Sequence, residues 1–206
     1  GGGNTSVKLK NGQMAIKASG FCLKDIEKDN GFALLDGTAL HKFYREHNPE
    51  EFEDCEAAGA QCTKENLQIV EGLPALRPSV EAGFHSLLKT YVLHTHSVFA
   101  NLAACTVGGR EVVQECFRYA PYTWGWVDYQ DPGAKLAFAI RDELDRVEEE
   151  TGAKIREFIN SGNIIPATAN ITMTKNGEKI SGLAGGDGPI DAAFLAIEQI
   201  IGHHYE

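Results

Sequence analysis

Two histidines, His94 and His96 in the run "YVLHTHS", are the residues whose type and spacing most directly suggest chemistry. In an extended segment, side chains two apart project from the same face, so both imidazoles converge while Thr95 points away. That is a metal-ligand spacing on a strand. Glu81 lies just upstream in "RPSVEAGFHSLLKT", where Pro78 suits a first helical position and Glu81 and His85 share a helix face four residues apart. Zinc held by imidazoles acts as a Lewis acid on a carbonyl or enediolate oxygen, and a nearby carboxylate can then take a proton from the adjacent carbon. His85 reads as a helix-face core histidine before a fourth ligand, and His203 and His204 read first as exposed terminal groups.

A phosphorylated substrate also needs an anion seat. Backbone N–H groups and small polar side chains of "GGGNTS" and "ASG" can provide one. Neither stretch runs into Gly-Lys-Ser/Thr, so a Walker nucleotide loop is excluded.

The elements that position these groups follow from turn signals and periodicity. Asn11-Gly12 predicts a hairpin pairing Leu9 with Met14 and Val7 with Ile16, with Lys8 and Ala15 on the opposite face. Folding there brings Gly1 to Asn4 beside Ser19 and Gly20. Residues 38 to 72 read as weakly patterned helix, with "EHNPEEFEDCEAAG" a solvated acidic connection. After the strand at His94 a helix runs to Gly108-Gly109, and Leu136, Ile140, Leu144 and Val147 mark another between Pro132 and Gly152. Trp124, Trp126 and Tyr129 precede it and suit packing against the sheet, with a substrate mouth as the alternative. From about Ala153 the character changes. Asn176-Gly177 predicts a second hairpin pairing Lys175 with Glu178 and Met173 with Ile180, followed by "GGDGP" and a helix striped with Ile190, Ala193, Phe194, Ile197 and Ile201.

The 206 residues, 43% hydrophobic, suffice for one substantial core and a smaller appended unit. Nineteen basic against twenty-nine acidic side chains give a net charge of -10, which argues against nucleic-acid partners and anionic membranes. Apolar runs are too short for a membrane span, and a cytoplasmic protein is expected. The odd number of cysteines, five, without Cys-x-x-Cys spacing predicts reduced thiols rather than a disulfide framework or zinc knuckle.

In order along the chain, "GGGNTSVK", "IKASG", "RPSVEAGFH", "YVLHTHS" and "DYQDPGAKLA" resemble the class II aldolase/adducin head family, nearest its rhamnulose-1-phosphate aldolase-like members, over about residues 1 to 145. The resemblance implies an α/β fold: three α/β/α layers around a mixed, largely antiparallel sheet. It implies a zinc-dependent carbon–carbon lyase (aldolase) or an epimerase, acting on a phosphorylated sugar such as a ketose phosphate or dihydroxyacetone phosphate through a metal-stabilised enediolate, in a homo-oligomer. It makes His94 and His96 zinc ligands, Glu81 the catalytic base or exchanging ligand, and Gly2, Gly3, Asn4, Ser19, Gly20 and Ser79 the phosphate contacts. Val80 stands where many members have a second serine, and the third zinc histidine of the family has no counterpart, since no histidine occurs between His96 and His203.

The tail, "IREFINSGNIIPATANITMTKNGEKISGLAGGDGPIDAAFLAIEQIIGHHYE", resembles the first half of the 2-isopropylmalate synthase C-terminal regulatory domain. This implies a boundary near residue 152, an aldolase-like domain over 1 to 152 and a small α+β segment over 153 to 206, with Gly186, Asp187 and Gly188 as a ligand-site candidate. The rival to the enzyme is a non-catalytic assembly module with an amino-acid-sensing or dimerising tail.

Overall fold

In the computed structural model, which describes residues 3–155, 157–160, 167–175, 177–186 and 189–202, the chain is a mixed α/β protein built on an antiparallel sheet. Its elements are β1 (Gly3–Lys8), β2 (Gln13–Lys17), β3 (Phe32–Asp36), α1 (Gly37–Glu46), α2 (Cys55–Glu65), β4 (Leu67–Gln68), α3 (Ala82–Leu87) and β5 (Tyr91–Thr95). Next come α4 (Val98–Ala104), α5 (Gly109–Cys116), β6 (Trp124–Val127), α6 (Ala134–Thr151), β7 (Glu157–Asn160), β8 (Ala167–Lys175), β9 (Glu178–Gly186) and α7 (Pro189–Ile201). The chain divides into two units, Gly1–Ser97 with Pro121–Ile159, and Val98–Ala120 with Asn160–Glu206.

In the first unit five strands lie in the order β4-β3-β2-β1-β5, antiparallel at every pairing. Met14, Ile16 and Leu35 cover one face and pack with Leu40 and Ala82 from the helices. A larger cluster joins α1, α3 and α6 through Tyr44, Phe84, Leu136, Phe138 and Ile140. Hydrophobic burial of this kind supplies the driving force, and caps decide where the helices begin. Asp36 accepts from Ala39 N at 2.9 Å to start α1, and Asp54 accepts from Ala57 N at 2.9 Å to start α2.

The acidic stretch expected to be a solvated connection does more than that. Glu56 accepts from Ala134 N at 2.7 Å and Lys135 N at 2.9 Å, capping α6 where the glycine at its N-cap has no side chain to do so. At the other end of the packing, Arg141 donates to the carbonyls of Tyr44 (3.0 Å) and His47 (2.5 Å), closing the C-terminus of α1.

The first hairpin differs from its expected register by one residue. Lys8 faces Met14, Val7 faces Ala15 and Ser6 faces Ile16. Leu9 N donates to Gln13 O at 2.8 Å and Gly12 N to Leu9 O at 3.1 Å, so three residues close the loop, with Gly12 at φ 86°. A three-residue loop ends in a left-handed residue, usually glycine, whereas the two-residue turn expected of Asn-Gly shifts the pairing by one. Because side chains alternate faces, this slip turns Asn4, Ser6 and Lys8 inward and Val7 outward.

In the second unit β8 and β9 pair antiparallel with Lys175 opposite Glu178 and Met173 opposite Ile180, the register that the second Asn-Gly predicts. Helix α7 packs on this hairpin so closely that a Cβ on Gly182 would meet Ala196 O at 2.3 Å. The same unit contains α4 and α5, which contact one another. All five cysteines are unpaired. Among the described residues no helix is long and apolar enough to cross a membrane.

Candidate metal centre

The inward face of β1 is polar, and every inward residue reaches the segment around α3. Asn4, 1% exposed, donates from Nδ2 to Glu81 Oε2 at 2.7 Å while its Oδ1 accepts from Thr5 N at 2.8 Å. Ser6 Oγ and His85 Nδ1 are 2.8 Å apart. Lys8 Nζ donates to the carbonyls of His85 at 2.6 Å and Lys89 at 2.8 Å, and burial lowers its pKa to about 8. Gly3, at φ 113°, lets β1 lie against β5, since a Cβ there would sit 2.5 Å from His94 O.

Glu81 occupies the N-cap position of α3 without capping it, which leaves its carboxylate for the site. Ser79 Oγ lies 3.5 Å from Oε2 and accepts from Glu81 N at 3.3 Å. Oε1 is 3.2 Å from His94 Nδ1. Burial alone would raise the Glu81 carboxyl, but the His94 ring and the Asn4 amide outweigh it and pull the pKa down to about 2. His85, 0% exposed, is held neutral by burial, which lowers its pKa to about 3 against the opposing pull of Glu81.

His94 Nε2 and His96 Nε2 lie 3.1 Å apart. Two nitrogens on one tetrahedral zinc, each about 2.0–2.1 Å from it, stand roughly 3.3–3.4 Å apart, so the pair matches a ligand edge. Phe84 walls the site, its ring 5.7 Å from His94 and 4.8 Å from His85.

Of the residues singled out by sequence, Asn4, Ser79, Glu81, His94 and His96 converge. Ser19 and Gly20 are exposed, and Ser19 N donates to Arg77 O at 2.9 Å, which holds them beside the loop leading to Ser79. Gly2, Asp187, Gly188, His203 and His204 lie outside the described residues, and Gly186 ends β9 opposite Ala167. Trp126 is buried on β6, which packs with α6, and donates to Asp128 Oδ1 at 2.9 Å; Tyr129 donates to Asp131 Oδ1 at 2.9 Å.

His85 lies in the same cluster. The donor atoms of Glu81, His85 and His94 all lie within 4.8 Å of one another, a set of two nitrogens and an oxygen suited to a divalent metal. Among the described residues, the buried side-chain polar atoms with no aligned hydrogen bond are His85 Nε2 and His94 Nδ1, and the second of these has Glu81 Oε1 as an ion-pair neighbour at 3.2 Å. An orphaned buried polar atom such as His85 Nε2 asks for a ligand, and a metal ion fits it. The signal in sequence was the four-residue spacing of Glu81 and His85; the missing piece was Ser6, hidden by the hairpin slip.

Residues 1–157 match the Class II Aldolase and Adducin N-terminal domain, and the chain belongs to that family. Short matches occur to two synthase types. The chain is 38% identical over 65 residues to a Methanoculleus marisnigri protein provisionally named (R)-citramalate synthase CimA, covering 31% of this chain and 13% of that protein. It is 37% identical over 67 residues to 2-isopropylmalate synthase of Carboxydothermus hydrogenoformans, covering 29% and 13%. The enzyme of the same name from Ruminiclostridium cellulolyticum is 46% identical over 48 residues, covering 23% and 9%. The chain thus spans 13% or less of the length of these curated relatives. A crystal structure of YgbL from Escherichia coli, described provisionally as an aldolase/epimerase/decarboxylase, aligns over 96% of this chain and 73% of its own at 15% identity and TM-score 0.42. At that level of likeness the assignment rests on the sequence match alone.

Proposed function

We propose that the chain is a zinc-dependent lyase or epimerase acting on a phosphorylated ketose, with Glu81 as the general base. The observation that carries this reading is one carboxylate, held by Asn4 and lying 3.2 Å from Nδ1 of His94, whose Nε2 lies 3.1 Å from that of His96. His94, His96 and Glu81 are the residues that would hold zinc, which supplies Lewis-acid polarisation of a substrate carbonyl.

Glu81 is fully ionised at neutral pH and takes the proton from the carbon beside that carbonyl. Leaving the His94 ring and the Asn4 amide returns its basicity toward that of an ordinary carboxylate, so its partners set when it acts. Gly2, Gly3, Asn4, Ser19, Gly20 and Ser79 form the phosphate seat in this reading, supported by the approach of the Ser19 backbone to the loop before Ser79. Homo-oligomerisation in the cytoplasm belongs to it as well. Tyr91 and Leu93, 81% and 74% exposed on edge strand β5, offer apolar surface for subunit contact.

The test follows exchange of the dihydroxyacetone phosphate C3 proton with deuterated solvent, a step that needs no partner aldehyde. Zinc-loaded wild type should exchange, and Glu81→Gln should lower the rate by about two to four orders of magnitude. No exchange above background in zinc-loaded wild type would sink the enzyme reading and leave the aldolase fold as an assembly module.

A further inference from the structure

We propose that His85 binds the metal through Nε2 as a nitrogen donor beside Glu81 and His94, with Ser6 fixing its ring. This rests on the zinc reading above and extends it to a residue that a two-histidine site leaves out. A histidine kept in a core for packing places both ring nitrogens in hydrogen bonds, because a buried polar atom without a partner bears its full desolvation cost. His85 places only one. Its ring is fully buried, Nδ1 meets Ser6 Oγ at 2.8 Å, and Nε2 has no partner.

His94 Nδ1, in the same cluster, has Glu81 Oε1 as an ion-pair neighbour at 3.2 Å, so His85 Nε2 is the ring nitrogen there with nothing polar against it. One donor atom each from Glu81, His85 and His94 lies within 4.8 Å of the others, a set of two nitrogens and an oxygen that a divalent metal can accept. With Nδ1–H donating to Ser6 Oγ, Nε2 carries a bare lone pair, the form in which imidazole ligates a metal, and the hydroxyl sets ring orientation as outer-shell partners do. The first unit, which lacks any histidine after His96, thereby draws a nitrogen donor from the helix that Glu81 precedes.

Zinc affinity, measured by competition with a chromophoric chelator, would be compared among wild type, His85→Gln and Ser6→Ala. Long-range nitrogen–proton NMR spectra of the wild-type histidine rings would be recorded before and after zinc. Affinity should fall about a hundredfold in His85→Gln and about tenfold in Ser6→Ala, and the His85 Nε2 resonance should move on zinc addition. Wild type that takes no zinc sinks this inference together with the zinc reading. Wild type whose His94 and His96 resonances move while that of His85 stays, or affinities unchanged in both variants, sinks this inference alone. Should His85→Gln fail to fold, Ser6→Ala and the wild-type spectra decide it.

Discussion

Two hairpins in this chain carry the same Asn-Gly signal and resolve it differently. Around Gly177 the strands pair as alternation dictates, with Ile171, Met173, Ile180 and Ala184 sharing the face that carries Gly182, which lies against Ala196 of α7, and with Thr172 and Ser181 turned outward. Around Gly12 the pairing slips by one, and β1 turns Asn4 and Ser6 inward while Val7 faces out. A strand that buries its polar side defies the usual rule. It is stable only because each buried group finds a partner: Glu81 for Asn4, His85 for Ser6, and two carbonyls for Lys8. The difference separates a strand whose register is set by packing from one whose register is set by a site.

The largest effect on this contrast should come from Asn4→Ala. It leaves Glu81 Oε2 without its closest donor in a half-buried place and removes the local bond to Thr5 N. A hydrogen bond to a charged group contributes about 1.5–3 kcal/mol, and a loss of that size in chemical denaturation is expected. Weaker binding of phosphoglycolohydroxamate should accompany it if Asn4 also faces substrate. A change below about 0.5 kcal/mol would mean that the inward polar face is not what holds β1 in register.

These effects show what was legible in the sequence. The second hairpin could be read from Lys175 opposite Glu178 and Met173 opposite Ile180, because local alternation and burial agree there. For the first, the expected register matched Val7 with Ile16 and satisfied the same rule. The contacts that overturn it join residues 77 and 79 positions apart, Asn4 with Glu81 and Ser6 with His85, and no local pattern carries them. His94, His96 and Glu81 were legible for the opposite reason, since their spacing alone places them. Glu56 was missed as a cap because its partners, Ala134 and Lys135, lie 78 and 79 positions away.

Glycine substitutions at the two turns give the next effect. Gly12 and Gly177 share φ 86°, but a Cβ on Gly12 would sit 2.6 Å from Thr38 Oγ1, whereas one on Gly177 meets nothing within 4 Å. Left-handed strain alone costs an L-residue about 1–2 kcal/mol. Gly177→Ala should therefore lose about 1 kcal/mol and Gly12→Ala about 2 kcal/mol, with Thr38 forced to move and α1 displaced at its first turn. Equal losses would show that the tighter neighbour gives way freely.

The smallest effect tests the contrast from its other side. Thr172 and Ser181 are directly opposed across β8 and β9, and their hydroxyl oxygens lie 2.8 Å apart, the same separation as Ser6 Oγ and His85 Nδ1. Both are exposed, so water replaces the bond when one hydroxyl is removed and no buried group is left bare. Thr172→Ala should cost no more than about 0.5 kcal/mol, near the low end for a cross-strand pair. Because the two hairpins lie in different units, the measurement is amide hydrogen exchange read separately in β1 and β2 and in β8 and β9, for Thr172→Ala and Asn4→Ala side by side. Protection in β8 and β9 should be nearly unchanged in the first variant, and protection in β1 should fall in the second. If Thr172→Ala instead opens its hairpin as widely as Asn4→Ala opens the other, then cross-strand hydroxyl bonds hold both registers, and the inward polar face of β1 has no special part in building the candidate metal site.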